Sequence, residues 1–516
     1  MSTFTIDTAD DADPLHVQAY ASWCPEGDST YFAECTLLQI AEGNYDSLDA
    51  FKGNVDVFYS LVCGALIFFM QCGFAMLCAG SVRQKNVKNI MLKNILDACG
   101  GAIGFFTIGY ALSNGSGGAF VSTSSAEYLL NGFSEGGDYI AWFFQFTFAA
   151  TAATIVAGTV AERCKMAAYL CYSLMLTMFV YPVVVHAIWN GDGFLSAFAD
   201  DKFRGTGMID FAGSGVVHMT GGATALIAAI ILGPRKGRFY DEDGNPLPEP
   251  VSFPPHSVAL QVLGTFILWV GWYGFNPGST LAISPDGYGD VAALCAVTTT
   301  LSAACGCVAS MFLDTIMGMV KTGEAEYDLS MAMNGCLGGL VGITANCSVV
   351  TPWAACVIGI ISGFVYVGAS SLLVKLKIDD AVDAVPVHFF CGIWGCLATG
   401  LFAEPNRVGI AYGTGEYGWF YNWGLGSANA NLLLVEFCGV LFIIGWVAVI
   451  MTPFFLILNM LGMFRVDPLE EEVGLDVSHH KGSAYDLTGP QKEDIEEMIA
   501  RKTTQRGSVA PPAMDA

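Results

Sequence analysis

Between residues 55 and 462 long apolar runs alternate with short polar breaks, and each run is about 20 residues, the length an α-helix needs to cross a bilayer. Eleven runs can be marked, at 55–82, 88–113, 139–161, 166–190, 208–233, 256–276, 290–320, 328–346, 352–375, 385–403 and 431–462. Backbone in hydrocarbon has to satisfy its own hydrogen bonds, so runs of this length predict helices. The expectation is an all-α polytopic membrane protein with a polar arm over 1–54, a membrane domain over 55–462 and a polar tail over 463–516.

Basic residues in the breaks set the orientation, because cytoplasmic loops carry the excess of Lys and Arg. Arg83, Lys85, Lys88, Arg163, Lys165, Arg235, Lys236, Arg238, Lys321, Lys375, Lys377 and Arg465 follow odd-numbered runs, against Lys52, Lys202, Arg204 and Arg407 on the other side. Twelve against four predicts the N-terminus outside and the C-terminus inside.

Composition sharpens this picture. With 53% hydrophobic and 13% charged residues and a mean hydropathy of +0.52, the chain is far too apolar for an ordinary soluble protein. Its net charge of −25 argues against nucleic acid, which wants a basic face. The first 50 residues contain no Lys or Arg and read as a solvated, acidic, extracellular arm. No basic stretch followed by a short apolar core marks a cleavable leader, so the first run is expected to insert as its own signal and anchor. Fifteen of the 17 cysteines, Cys63 to Cys438, are scattered through apolar sequence without a CxxC pair and read as small core residues. Cys24 and Cys35 precede the first run, where a disulfide and two free thiols are both open. Glycines at 335, 338, 339, 342, 359 and 363 form small-residue stripes of the kind that let membrane helices approach closely.

Chemistry is concentrated in two units. Asp210 stands eight positions ahead of His218 in the fifth run, and Asp380 eight ahead of His388 at the tenth. Ionisable groups at bilayer depth are costly and usually face a cavity or mark an ion or proton path. Five spans separate the units, an odd number, so their helices run in opposite directions. That is the pattern of two inverted five-helix repeats plus a final helix, with the site near the midplane between halves. Two neutral imidazoles with no fixed charge suit water, a proton or a small hydrogen-bonding solute such as ammonia. At the outer mouth Trp189 and Phe148 can face a cation with their ring quadrupoles, and Ser279 adds a hydroxyl acceptor.

Five segments then resemble the ammonium transporter family (Amt, Mep and Rh proteins), especially its plant type: FAMLCAGSVRQKNVKNIMLKN (74–94), FTFAATAATIVAGTVAER (146–163), IDFAGSGVVHMTGG (209–222), WVGWYGFNPGS (269–279) and DDAVDAVPVHFFCGIWG (379–395). The resemblance implies that Trp189, Phe148 and Ser279 recruit ammonium outside, with Asp210 holding that region in shape. It implies a gate of Phe148 and Phe275 and a pore lined by His218 and His388, with Phe144, Gln145 and Trp272 as supporting residues. It also implies a homotrimer in the plasma membrane, no cofactor, and electrogenic ammonium uptake, with an electroneutral gas channel or an ammonium sensor as alternatives. In the tail, LEEEVGLDVSHHKGSAYD (469–486) resembles the family's regulatory segment, in which Ser478 takes the place of a hydroxyl open to a kinase. A short helix is expected over 490–502. An enzyme would need a nucleophile with a positioned base or a metal cluster, and neither pattern occurs in the sequence.

Overall fold

The computed structural model describes residues 32–134, 136–413 and 416–485, with side chains from 47 onward. Every described element is helical apart from isolated bridges. We number the principal helices α1 (Phe32–Ser81), α2 (Gln84–Asn114), α3 (Gly136–Thr159), α4 (Met166–Trp189), α5 (Ser214–Leu232), α6 (Val258–Gly278), α7 (Tyr288–Thr322), α8 (Leu329–Thr344), α9 (Pro352–Lys375), α10 (Val385–Phe402) and α11 (Asn431–Met460). Each expected apolar run coincides with one of them. Ten are long and apolar enough to cross a membrane, and α8 is shorter.

Connections following odd-numbered helices gather at one end. There Arg83, Glu162, Arg235 and Asp379 join in ion pairs, and the Val466 N–H donates to the Arg163 carbonyl. Connections following even-numbered helices gather at the other end. Phe194 bonds Ala119, Phe211 bonds Ala345, and Glu404 bonds Val349 through their backbones.

Three features depart from the sequence reading. The first helix starts at Phe32, so the second half of the supposed solvated arm is continuous with it. The stretch between α10 and α11 contains the short helices Pro405–Tyr412 and Trp419–Gly424, which no apolar run signals; Glu404 caps the first by accepting from the Arg407 N–H, with Pro405 at its first turn. Helices α2 and α4 are interrupted by π-turns at Phe105–Gly109 and Leu176–Val180, which an apolar run does not signal. The possible Cys24–Cys35 disulfide and the expected helix over 490–502 lie outside the described residues.

The pairing of halves is direct: α1 packs along α6, the first helix of each half, and α5 packs against α10, the last. The second contact is close because of glycine. A Cβ on Gly222 would lie 2.4 Å from the Phe389 nitrogen, and one on Gly392 would lie 2.7 Å from the Ser214 carbonyl oxygen. Any larger residue at either position would push the two histidine-bearing helices apart.

Candidate functional site: a paired-histidine pathway

Both units enter the membrane through the same local device. Asp210 sits before α5, and its carboxylate accepts from the N–H groups of Gly213 (3.1 Å), Gly215 (3.0 Å) and Val216 (2.8 Å). Asp380 sits before α10 and accepts from Val382 (3.2 Å) and Val385 (2.7 Å). Each α-helix starts with N–H groups that have no intrahelical partner, and inside a membrane no water is there to take them. A carboxylate supplies the missing acceptors. The aspartates therefore act as caps of the two histidine-bearing helices.

Each cap is followed by a left-handed residue at its third position, Gly213 (φ 102°) and Asp383 (φ 59°), and then by a π-helical turn, Ser214–Met219 and Val385–Phe390. Gly213 takes this conformation without Cβ strain. Asp383 is held in it by Tyr366 and Ser370, whose hydroxyls both donate to it at 2.9 Å. In the second turn Pro386 has no N–H to give, which favours the wider hydrogen-bonding register. Both histidines fall on these π-turns.

Those turns bring the rings together. The Nδ1 atoms of His218 and His388 are 3.2 Å apart, and the ring centroids 5.2 Å apart with planes inclined by 18°. An Nδ1–Nδ1 bond requires one nitrogen to donate and the other to accept, so two neutral rings adopt opposite tautomers. One outward Nε2 then carries a hydrogen and the other a lone pair, which makes the pair directional. His218 Nε2 is buried and has no hydrogen-bond partner among the described residues.

The aromatic residues stack outward from there. Trp272 and Phe275 lie on His218, with centroids at 5.1 and 5.5 Å. Phe148 meets Phe275 at 4.3 Å, and both are buried. Trp189, half-buried, stands edge-on to Phe148 at 5.9 Å, and its indole N–H donates to the Asp210 carbonyl at 2.6 Å. Ser279, also half-buried, stands one turn beyond Phe275 and donates to its carbonyl at 2.8 Å. Phe144 backs Phe148 at 5.0 Å. Sequence reasoning made Trp272 a supporting residue, whereas its ring rests on an imidazole; its N–H donates to Thr344 Oγ1 at 2.9 Å. The Gln145 Oε1 is buried without a hydrogen-bond partner among the described residues.

Below His388 the structure adds residues that the sequence did not single out. A cavity of about 20 Å³ lies there, bounded by Phe74, Leu77, Ile155, Leu337, Val387 and His388 itself. That is room for roughly one molecule of water size. Glu436 of α11 accepts from the Ile209 N–H at 2.8 Å and so holds the residue before Asp210. Phe74, Leu77, Ile155 and Val387 fall inside three of the five family-like segments without a role assigned to them there, whereas Leu337 and Glu436 lie in none of the segments and are made relevant by packing alone.

A family model described as Ammonium Transporter Family matches residues 58–485. The chain belongs to the ammonium transporter family. It is 43% identical over 423 residues to Ammonium transporter 1 member 2 of Arabidopsis thaliana, covering 79% of each chain. It is 40% identical over 465 residues to Ammonium transporter Amt2 of Archaeoglobus fulgidus, covering 87% of this chain and 93% of that one. Among solved structures, a protein titled Sensor Amt Protein superposes with a TM-score of 0.71 at 31% identity, over 84% of this chain and all of that one. As a member of this family the protein is a multi-pass membrane transporter and not an enzyme, and the plant-type resemblance of its five segments holds across the membrane domain.

Proposed function

We propose that this transporter takes ammonium up through the paired-histidine pathway of each subunit of a homotrimer in the plasma membrane. Eleven crossings place the 1–54 arm outside and the 463–516 tail inside, in keeping with the alternating ends at which odd and even connections gather. Ammonium is recruited at Trp189, Phe148 and Ser279 and gives up its proton there. Ammonia then passes the Phe148–Phe275 gate and moves along His218 and His388, and the proton follows through the imidazoles.

One observation carries this reading: the 3.2 Å Nδ1–Nδ1 contact, set in an apolar passage with a single-molecule cavity beneath it. A whole ammonium ion would lose its hydration among phenyl rings at great cost, whereas neutral ammonia loses little. Imidazole changes protonation near neutrality, so a pair with opposite tautomers can pass a proton without keeping a charge. Current recorded in proteoliposomes, with ammonium and pH varied independently, tests it. Current that follows ammonium supports ion or coupled movement; uptake without current assigns an electroneutral gas channel. Replacing Trp189 or Ser279 should raise the half-saturation concentration, and unchanged kinetics would remove both from recruitment.

The tail is proposed to regulate the pathway through Ser478. Its hydroxyl donates to the Gly474 carbonyl at 2.9 Å, in the same short helix as Asp476, which caps the start of α2 through the Lys88 and Asn89 N–H groups at 3.0 and 2.9 Å. A kinase adding about two negative charges beside Asp476 would repel that cap. The likeness to a protein titled as a sensor favours testing signalling as a second output, by asking whether a conduction-dead His388→Ala variant still signals.

A further inference from the structure

His186 is wholly buried in the last turn of α4, one turn before Trp189 and outside the residues of the pathway. Both of its ring nitrogens face backbone carbonyls at and just beyond the end of α2. Nδ1 stands 3.1 Å from the Ser113 oxygen and Nε2 2.6 Å from the Gly118 oxygen. Carbonyl oxygens only accept. A neutral imidazole has one N–H, so it serves one of the two and sets a lone pair against the other, whereas the imidazolium donates to both.

The surroundings favour the charged ring. The 2.6 Å contact is short even for a charge-assisted hydrogen bond. The last turn of a helix is the negative end of its dipole, where a cation is stabilised. Two carboxylates border the same turn of chain: Asp192 accepts from the Gly117 N–H at 2.6 Å, and a Cβ on Gly115 would lie 2.9 Å from Glu127 Oε2. The other titratable groups on the elements packed around the ring are Tyr110 on α2, Asp138 on α3, Tyr181 on α4, and Asp210 and His218 at the start of α5. Of all these only His218 can become a competing cation.

The 113–119 turn is shaped for this contact. Gly117 and Gly118 are both left-handed, with φ 78° and 77°, so the chain folds back and brings the Gly118 carbonyl to the ring. Asn190 Nδ2 donates to the Ser113 and Gly115 oxygens at 3.1 Å each, and the Phe194 N–H donates to the Ala119 oxygen at 2.9 Å. The turn thus closes over the end of α4 from which the Trp189 indole reaches the Asp210 carbonyl.

We infer that His186 is a proton-binding latch on the outer face: as imidazolium it fastens the 113–119 turn to the end of α4, and loss of the proton releases one of the two carbonyls. A latch completed by a proton holds best in acid and loosens as pH rises through the range in which imidazole titrates. Its effect on transport rests on the proposed recruitment at Trp189. A firmly held end of α4 keeps the indole in place, so the half-saturation concentration for ammonium is lower in acid.

The test uses the intact protein in nanodiscs, labelled with ¹⁵N-histidine and read by NMR at pH 6 and pH 8, with His186→Gln identifying the His186 signals. At pH 6 both ring nitrogens of His186 should be protonated. Hydrogen exchange over residues 113–122, normalised to the unstructured rate at each pH, should rise about tenfold by pH 8, as expected for one hydrogen bond to a charged group. His186→Gln should exchange fast at both pH values. Asn190→Ala removes neutral anchors of the same turn, so it should speed exchange and keep the pH dependence. The half-saturation concentration should rise with pH in the wild type and lose that rise in His186→Gln. A neutral His186 ring at pH 6 overturns the latch, as does wild-type exchange that is equal at the two pH values or a His186→Gln variant with the wild-type dependence. An intact latch with a half-saturation concentration indifferent to His186→Gln overturns the link to Trp189 alone.

Discussion

The two Asp–His units are built alike and anchored differently. Around Asp210 the supports are single side chains without an ion pair among the described residues: the Trp189 indole clamps its carbonyl, and the Glu436 side chain holds Ile209. Around Asp380 the supports are charged. Adjacent Asp379 is buried against Arg235, its carbonyl accepts from Arg163, and Arg235 also reaches Glu162 at 3.4 Å. Although burial opposes ionisation, the Arg163 and Arg235 guanidinium groups hold the Asp379 carboxyl below its ordinary value. The Asp210 unit is surrounded by aromatic faces, whereas the loops beside the Asp380 unit are tied to the tail, Arg465 donating to the Pro234 carbonyl at 2.7 Å and Glu471 accepting from the Lys236 N–H at 2.6 Å. The two units thus differ in kind: buried ion pairs adjoin Asp380, whereas aromatic rings adjoin Asp210.

The largest effect expected concerns what the units share. His218→Ala and His388→Ala should each lower uptake by about 10²-fold, the lower range for a positioned proton-transfer group, measured in cells without other ammonium transport. If only one of them matters, the rings do not act as a pair.

Next comes the difference between the ends. Arg235→Met leaves Asp379 ionised and buried, and thermal unfolding should register a loss of about 3–5 kcal/mol. The exposed Lys236–Glu472 pair at 3.0 Å should by contrast contribute under about 1 kcal/mol when removed. Equal losses would erase the contrast between buried and surface anchoring.

Replacing the caps sharpens it further. Asp210→Asn and Asp380→Asn each substitute an amide for a carboxylate oxygen that accepts from backbone N–H groups, a change of about 1.5–3 kcal/mol for a charged hydrogen bond. The outer variant should be the worse, because its carboxylate serves three N–H groups and the inner one two. The reverse order would mean that the charged network, and not the cap, orients the helix.

The smallest effect is on the tail. Asn89 Nδ2 and His480 Nε2 are 2.8 Å apart, so a neutral ring accepts there and a protonated one cannot. Burial, with His479, Lys93 and Lys88 nearby, lowers the His480 pKa from its ordinary value, while Asp476 opposes this. The docked tail therefore binds the proton less readily than the undocked one, so docking is stable above the ordinary histidine range and weakens as pH falls through it. A spin label on residue 483 should become more mobile between pH 7.5 and 6, and His480→Gln should flatten that response.

The apolar periodicity and length of the runs determined the helices, because hydrocarbon leaves backbone groups no other partner. The repeated spacing from Asp210 to His218 and from Asp380 to His388 was legible too, and with it the inverted relation of the halves. The resemblance implied that Asp210 holds its region in shape but not through which groups, since a carboxylate's partners depend on where the chain turns. Only the tertiary structure decided that both carboxylates turn back onto helix N–H groups, that π-turns carry the histidines, that Trp272 rests on an imidazole, and that Glu436 and Phe74 belong to the neighbourhood. The reason is physical. One-dimensional patterning reports which surface a residue shuns, but a ring-to-ring distance or a hydrogen bond across some 170 residues, as between His218 and His388, exists only once glycine-thin helices have packed.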